Sequence, residues 1–155
     1  PDARLEIHVF GVPESNGGAG GCAGSLRALA AADPRIRFFA PVASDQVIGL
    51  LGSYDLLAVP SLWLETGPLV VLEAFAAGVP VVGSKRGGIA ELVEDRVDGL
   101  LVEPGSVEAW STALRELAAG PELLQRLRAG VRRPRAMQDV ADDMLTVYDE
   151  ILQPV

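Results

Sequence analysis

Two carboxylates set close together in an otherwise apolar stretch have the types and spacing for chemistry. They are Glu65 and Glu73, a Glu-x7-Glu pair inside a segment bounded by Pro60 and Gly78. Local punctuation predicts that a strand ends at Pro60, that a loop carries Glu65, and that a helix over 68–77 begins at Pro68, whose fixed φ suits a first helical turn. Gly78 closes that helix. Its residues are apolar on every side except at Glu73, so the helix is expected to be buried. Burying a lone carboxylate is costly, and Glu73 then needs partners. Two readings stand from chemistry alone. Neighbouring hydroxyls, such as those of a ribose, match a two-oxygen acceptor; a salt bridge to Lys85 or Arg86, from the loop after the next strand, would serve equally.

The helix start predicted at Pro68 lies at the carboxyl end of a strand, where open α/β sheets bind ligands. Free amides and the helix dipole favour an anion there, and a diphosphate is the natural candidate. Proline has no N–H, so the donors are Gly67, Leu69 and Val70. A second pattern, from Gly18 through Gly20 to Ala23, satisfies the Gly-x-Gly-x-x-Gly/Ala form of a dinucleotide binder. It begins well after Phe10, and the following strand lacks a terminal acidic residue, so the signal is weak. A signalling receiver would need an aspartate at the end of the third strand, where Val59, Pro60 and Ser61 stand. His8, the single histidine, falls inside a predicted strand with no Asp or Ser constellation around it, which reads as structural. Cys22 reads as a small residue opening a helix.

The elements that must position these residues follow from hydrophobic period. Apolar runs at 5–10, 36–39, 56–59, 79–82 and 100–102 predict strands, with helical patterns between them near 22–32, 45–53, 68–77 and 88–94. Such β-α-β-α alternation implies an α/β fold with a Rossmann-like parallel sheet of about five strands and helices on both faces. After the last strand only helices follow. Trp110, Leu114 and Leu117 share one face, Leu123, Leu124 and Leu127 a second, and Met137, Val140, Met144, Val147, Tyr148 and Ile151 a third. Gly120 and Pro121 separate the first two. A Gly/Ala-rich loop at 16–24 is the one low-complexity stretch.

With 155 residues the chain is the size of one domain, and 49% hydrophobic against 22% charged residues is an ordinary globular balance. The net charge is −8, and Arg126, Arg128, Arg132, Arg133 and Arg135 crowd one late helical region, as a solvated face does. Nucleic acid is therefore a poor partner. A lone cysteine makes no internal disulfide, which points to a reducing, cytoplasmic setting. The longest apolar stretch, 69–82, is interrupted by Glu73, Gly78 and Pro80 and is short of the ~20 residues of a membrane span. No signal peptide is visible. Because the chain opens on Pro1 without an initiator Met, further upstream sequence is expected.

The motif residues resemble the Glu-x7-Glu signature of GT-B glycosyltransferases of family 4. The flanks match as well: the run from Tyr54 to Ser61, Gly78-Val79-Pro80-Val81-Val82, Gly87-Gly88-Ile89-Ala90-Glu91, and Asp98-Gly99-Leu100 through Gly105. The resemblance covers nearly the whole chain, in the family's order and spacing. It implies that residues 1–155 form the donor-binding C-terminal domain of a retaining transferase, which moves a sugar from a UDP-, GDP- or ADP-sugar to an acceptor without cofactor or essential metal. It further implies that Glu73 holds the ribose hydroxyls, Glu65 sits beside the donor sugar, the loop of Gly67, Pro68 and Leu69 faces sugar and phosphates, and the backbone at Pro41 and Val42 lies by the base. Many relatives carry Phe-Gly where this chain has Gly67 and Pro68. The family's basic Arg-x4-Lys pair, which grips the diphosphate, belongs to a strand-helix unit ahead of residue 5, as does the acceptor-binding N-terminal domain. Without them this chain is expected to transfer no sugar. Two alternatives remain: a GT-B nucleotide-sugar epimerase domain, and a dinucleotide-binding module. An uncovered sheet edge is also expected, open to pairing with a second copy; a strictly monomeric sedimentation profile would count against that pairing.

Overall fold

The computed structural model describes residues 5–12 and 22–152. Strand β1 (Ile7–Phe10), helix α1 (Cys22–Ala30) and β2 (Ile36–Phe39) come first. A 3-10 turn at Ser44–Gln46 leads into α2 (Val47–Leu51), then β3 (Leu57–Val59), α3 (Leu69–Ala76), β4 (Val81–Ser84), α4 (Gly87–Leu92) and β5 (Gly99–Val102). Three helices end the chain: α5 (Val107–Ala119), α6 (Pro121–Gly130) and α7 (Met137–Leu152). Every strand pairing is parallel, as the β-α alternation requires.

One expectation needs correction. The strands form two parallel sheets, β1-β2 and β3-β4-β5, with no ladder joining them among the described residues. What bridges them is a side chain. The Tyr54 hydroxyl lies 2.7 Å from His8 Nδ1, and the Tyr54 ring stands edge-on to His8 and Phe10 at 5.4 and 6.1 Å. Residues leading into β3 thus hold β1 through aromatic contact, and among the described residues one edge of β1 and one of β3 have no strand partner. The structural role expected of His8 is what this geometry gives.

The larger sheet carries the core. Both faces of β4 are buried, so Val81, Val82 and Gly83 carry no polar side chain and only Ser84, at its end, does. Val81 packs with Val59, Val71, Ala74, Phe75 and Ile89 on the side of α2, α3 and α4. Val82 packs with Leu100, Val102, Ala113, Leu117, Leu123 and Leu127 under α5 and α6. Pro80 explains why the strand starts later than its apolar run suggests. It has no N–H for a ladder, while its carbonyl accepts from Leu57 N–H at 3.1 Å.

Helix α5 is capped by Ser106, whose Oγ accepts from Ala109 N–H at 3.1 Å. Because α5 brings Ala113 and Leu117 to the core, Ser106→Ala is expected to lower stability by ~0.5–2 kcal/mol in urea denaturation. An unchanged midpoint would mean that the cap contributes nothing.

Before β2, Arg35 donates to the Asp33 carboxylate from Nε and a terminal guanidinium nitrogen at 2.9 and 2.6 Å, and from its backbone N–H at 3.1 Å. These bonds, side-chain first, hold the Asp33 carboxyl down at about 2. A depressed carboxylate contributes stability above its unfolded value of 3.8, lost as pH falls toward 2. In an NMR titration Asp33 should therefore titrate near 2, and Arg35→Ala should return it toward 3.8; identical midpoints in parent and variant would contradict this.

The three closing helices do not behave alike. Leu117 of α5 and Leu123 and Leu127 of α6 are buried, whereas no residue of α7 is. The stripe from Met137 to Ile151 has the expected period but lies exposed. The late arginines are exposed too; Arg128 donates to the Tyr54 carbonyl at 2.9 Å, and Arg135 pairs with Asp143 at 2.6 Å. Among the described residues no helix is long and apolar enough to cross a membrane.

Candidate functional site

The chain leaves β3 at Val59, and Pro60 prevents the ladder from continuing. Residues 60–68 cross the carboxyl end of the sheet and deliver the chain to α3. Pro68 differs from the expected first helical residue: it is the N-cap, extended at φ −67° and ψ 113°, and the helix begins at Leu69. Its carbonyl accepts from Val71 N–H at 3.0 Å. The N–H groups of Gly67, Leu69 and Val70 have no acceptor among the described residues, as the first turn of a helix commonly leaves them.

The loop carrying Glu65 is seated by the first turn of α4. Gly88 N–H donates to the Glu65 carbonyl at 2.6 Å. Nothing larger than glycine fits at that contact. A Cβ on Gly88 would stand 2.7 Å from both Gly67 N and the Thr66 carbonyl carbon, which are backbone atoms with no rotamer to yield. Gly87 is at φ +50°, in the left-handed region, and a Cβ there would stand 2.7 Å from the Glu65 oxygen. The loop after β3 and the start of α4, at the carboxyl ends of adjacent parallel strands, are thereby locked together, at the place where such sheets bind ligands.

The structure brings Glu65, Gly67, Pro68 and Leu69 into this one clamp, with Glu73 one turn further along α3. Val42 follows β2 and stands before the 3-10 turn; α2, after that turn, packs Leu51 against Val71 and Phe75 of α3. Glu73 departs from expectation. It is half-buried rather than buried, because α3 covers the sheet with Val71, Ala74 and Phe75 and turns Glu73 off that face. Among the described residues no salt bridge joins it to Lys85 or Arg86, both of which are exposed. A carboxylate in this setting is open to hydroxyl donors from a ligand.

Two buried polar groups lie at opposite ends of the sheet, Asp98 at the amino end and Ser84 at the carboxyl end. Asp98 is buried, accepts Glu94 N–H at 2.9 Å and ties the turn ahead of β5; burial pushes its carboxyl up. Ser84, at the end of β4, is fully buried, and its Oγ has no partner among the described residues. No cluster of His, Cys, Asp and Glu that could hold a metal ion occurs among the described residues. Gly18 to Gly21 of the glycine pattern lie outside the described residues, and its last two positions, Cys22 and Ala23, open α1.

Sequence reasoning missed the seating role of Gly87 and Gly88. A Gly-Gly pair shortly after a strand, behind Lys85 and Arg86, was the available signal. It also passed over Trp63, which is 82% exposed on the same loop as Glu65.

Comparison with known proteins gives the family and the fold. A family model described as glycosyl transferases group 1 matches residues 25–133. A D-inositol 3-phosphate glycosyltransferase from Rhodococcus jostii is 34% identical over 96% of the chain, which covers 33% of that protein. The chain spans about a third of the length of the curated relatives it matches. Among solved structures, Anabaena HepE in complex with UDP-glucose is similar at 26% identity and a TM-score of 0.62, over 69% of this chain and 29% of that one. Sucrose-phosphate synthase from Thermosynechococcus elongatus, at 24% identity, shares the fold with a TM-score of 0.76 over 94% of this chain and 38% of that one.

Proposed function

The chain belongs to the group 1 glycosyl transferase family, and on that premise we propose that it supplies the nucleotide-sugar-binding half of a retaining transferase. In this reading a nucleoside diphosphate sugar lies across the start of α3. Glu73 accepts hydrogen bonds from the ribose hydroxyls. The amides of Gly67, Leu69 and Val70 face the diphosphate, Glu65 stands beside the donor sugar, and the backbone at Val42 borders the base.

The observation that carries the reading is the clamp itself: Gly88 fixes the Glu65 loop next to unsatisfied amides at the carboxyl end of the sheet. The likeness to a protein solved with UDP-glucose supports the donor class. Electrostatics supports a division of labour. A diphosphate brings about two negative charges against roughly +0.5 from a helix N-terminus. The balance must come from cations outside α3, and the curated relatives hold about two thirds of their length beyond this region. Residues 1–155 alone therefore bind donor weakly and do not turn it over, while the rest of the protein supplies the basic pair and the acceptor wall of the cleft. The lone cysteine supports a cytoplasmic setting. The open edges of β1 and β3 leave room for a further strand, from the same protein or a second copy.

Calorimetry of this chain with UDP, GDP, ADP and NAD tests the reading. Saturable binding of one diphosphate without NAD is expected. Retention of NAD instead would favour a dinucleotide module, and interconversion of a free nucleotide sugar by the natural protein would favour an epimerase. Multiple-turnover glycosyl transfer by residues 1–155 alone would overturn the division of labour.

A further inference from the structure

Trp63 has no task in the fold. Its neighbours do: Leu62 turns toward Gly105, where a Cβ would meet its Cδ2 at 3.7 Å, and Leu64 toward Gly87, where the corresponding distance to Cδ1 is 3.0 Å. Leu62 also lines an open, mainly apolar hollow of about 290 Å³ with Pro60, Val107 and Trp110. Leu62 and Leu64 are themselves 57% and 72% exposed, and between them the Trp63 indole is 82% exposed. The loop that presents it is pinned two residues on, where Gly88 N–H donates to the Glu65 carbonyl. A large flat apolar surface displayed beside a polar site is a recognition feature.

Its position narrows what it recognises. Trp63 is two residues from Glu65, within about 7 Å along the chain. In that reading the diphosphate has the amides, the ribose Glu73 and the sugar Glu65, while the base lies by Val42, away from this loop in sequence. The acceptor has no counterpart on this domain. Its attacking oxygen must come within about 3–3.5 Å of the transferred sugar, which places the acceptor body about one ring's width from the Glu65 loop. We propose that Trp63 is the platform on which the acceptor stacks, and that this acceptor carries a ring with an apolar C–H face, a sugar or another cyclic polyol. The proposal rests on the assignment of Glu65 and Glu73 to the donor.

The test uses the natural protein, labelled with nitrogen-15 and saturated with UDP. The indole N–H resonance of Trp63 is followed while myo-inositol, methyl glucoside or glycerol is added. The two rings should shift it saturably, and glycerol, equally polar but open-chain, should not. Trp63→Ala should weaken binding of the ring probes about 10-fold, Trp63→Phe should retain most of it, and UDP affinity should stay unchanged in all three proteins. An indole resonance that ignores the rings, or responds equally to glycerol, overturns the proposal. So does a Trp63→Ala variant that binds the probes normally but melts at lower temperature, which would make Trp63 a contact with the rest of the protein. Failure of UDP to bind the parent refutes the donor reading instead, and the two failures are read in the same samples.

Discussion

Gly88→Ala is expected to damage both the fold and the donor site, although it adds a single methyl group. That methyl would stand 2.7 Å from Gly67 N and the Thr66 carbonyl carbon, and backbone cannot rotate away as a side chain can. The loop carrying Glu65 must move or the helix start must yield. Overpacking of this kind costs about 1–3 kcal/mol of stability, read as a lowered urea midpoint. Displacing the amides of Gly67 and Leu69 should in addition weaken UDP binding about 10-fold or more, the loss of at least one hydrogen bond to a charged group. Gly49 provides the control. It lies in α2, where an added methyl group would meet nothing within 4 Å, so Gly49→Ala should leave UDP affinity intact. A Gly88→Ala protein that binds UDP as the parent does would show that the clamp does not position the site.

The second large effect is expected at Glu73. Half-buried on α3 and without a salt bridge to Lys85 or Arg86, its carboxylate is available to a ligand at no cost to an internal ion pair. Glu73→Ala should then weaken nucleotide binding by ~1.5–3 kcal/mol, roughly 10- to 150-fold, with little change in stability. Isothermal calorimetry with UDP reads this directly. Equal affinity of variant and parent would remove Glu73 from the site, and a stability loss matching the affinity loss would return it to the interior of the fold.

Much of this is legible in the residues because the signals are local. The run at 36–39 is β2 to the residue, since Asp33 and Pro34 start it and an apolar alternation carries it. Glu65 and Glu73 stand out because carboxylates are rare in an apolar stretch, and Pro68 marks the helix start to within one position. What cannot be read is non-local. Period predicts five strands but not that β1 stands apart from β3, because strand pairing depends on which edges meet, and Tyr54 fills that junction with a side chain. The apolar run beginning at Val79 displaces the expected start of β4, since Val79 and Pro80 are as hydrophobic as the strand they precede. In α7 the stripe from Met137 to Ile151 gives the apolar face correctly, yet a period says which face is apolar and nothing about what covers it. A helix that reads as apolar all round implies a buried Glu73. In the fold only the face of Val71, Ala74 and Phe75 meets the sheet, and Glu73 stays half-exposed.

The central claim is that a nucleoside diphosphate binds where the Glu65 loop, the start of α3 and Gly88 meet. The most direct measurement is a titration of the labelled protein with UDP, followed by amide chemical shifts. The largest shifts should fall on Gly67, Leu69, Val70 and Gly88, with smaller ones at Glu73 and Val42, and they should saturate together with one dissociation constant. Shifts confined to the glycine-rich residues before α1, or scattered without saturation, would contradict the account.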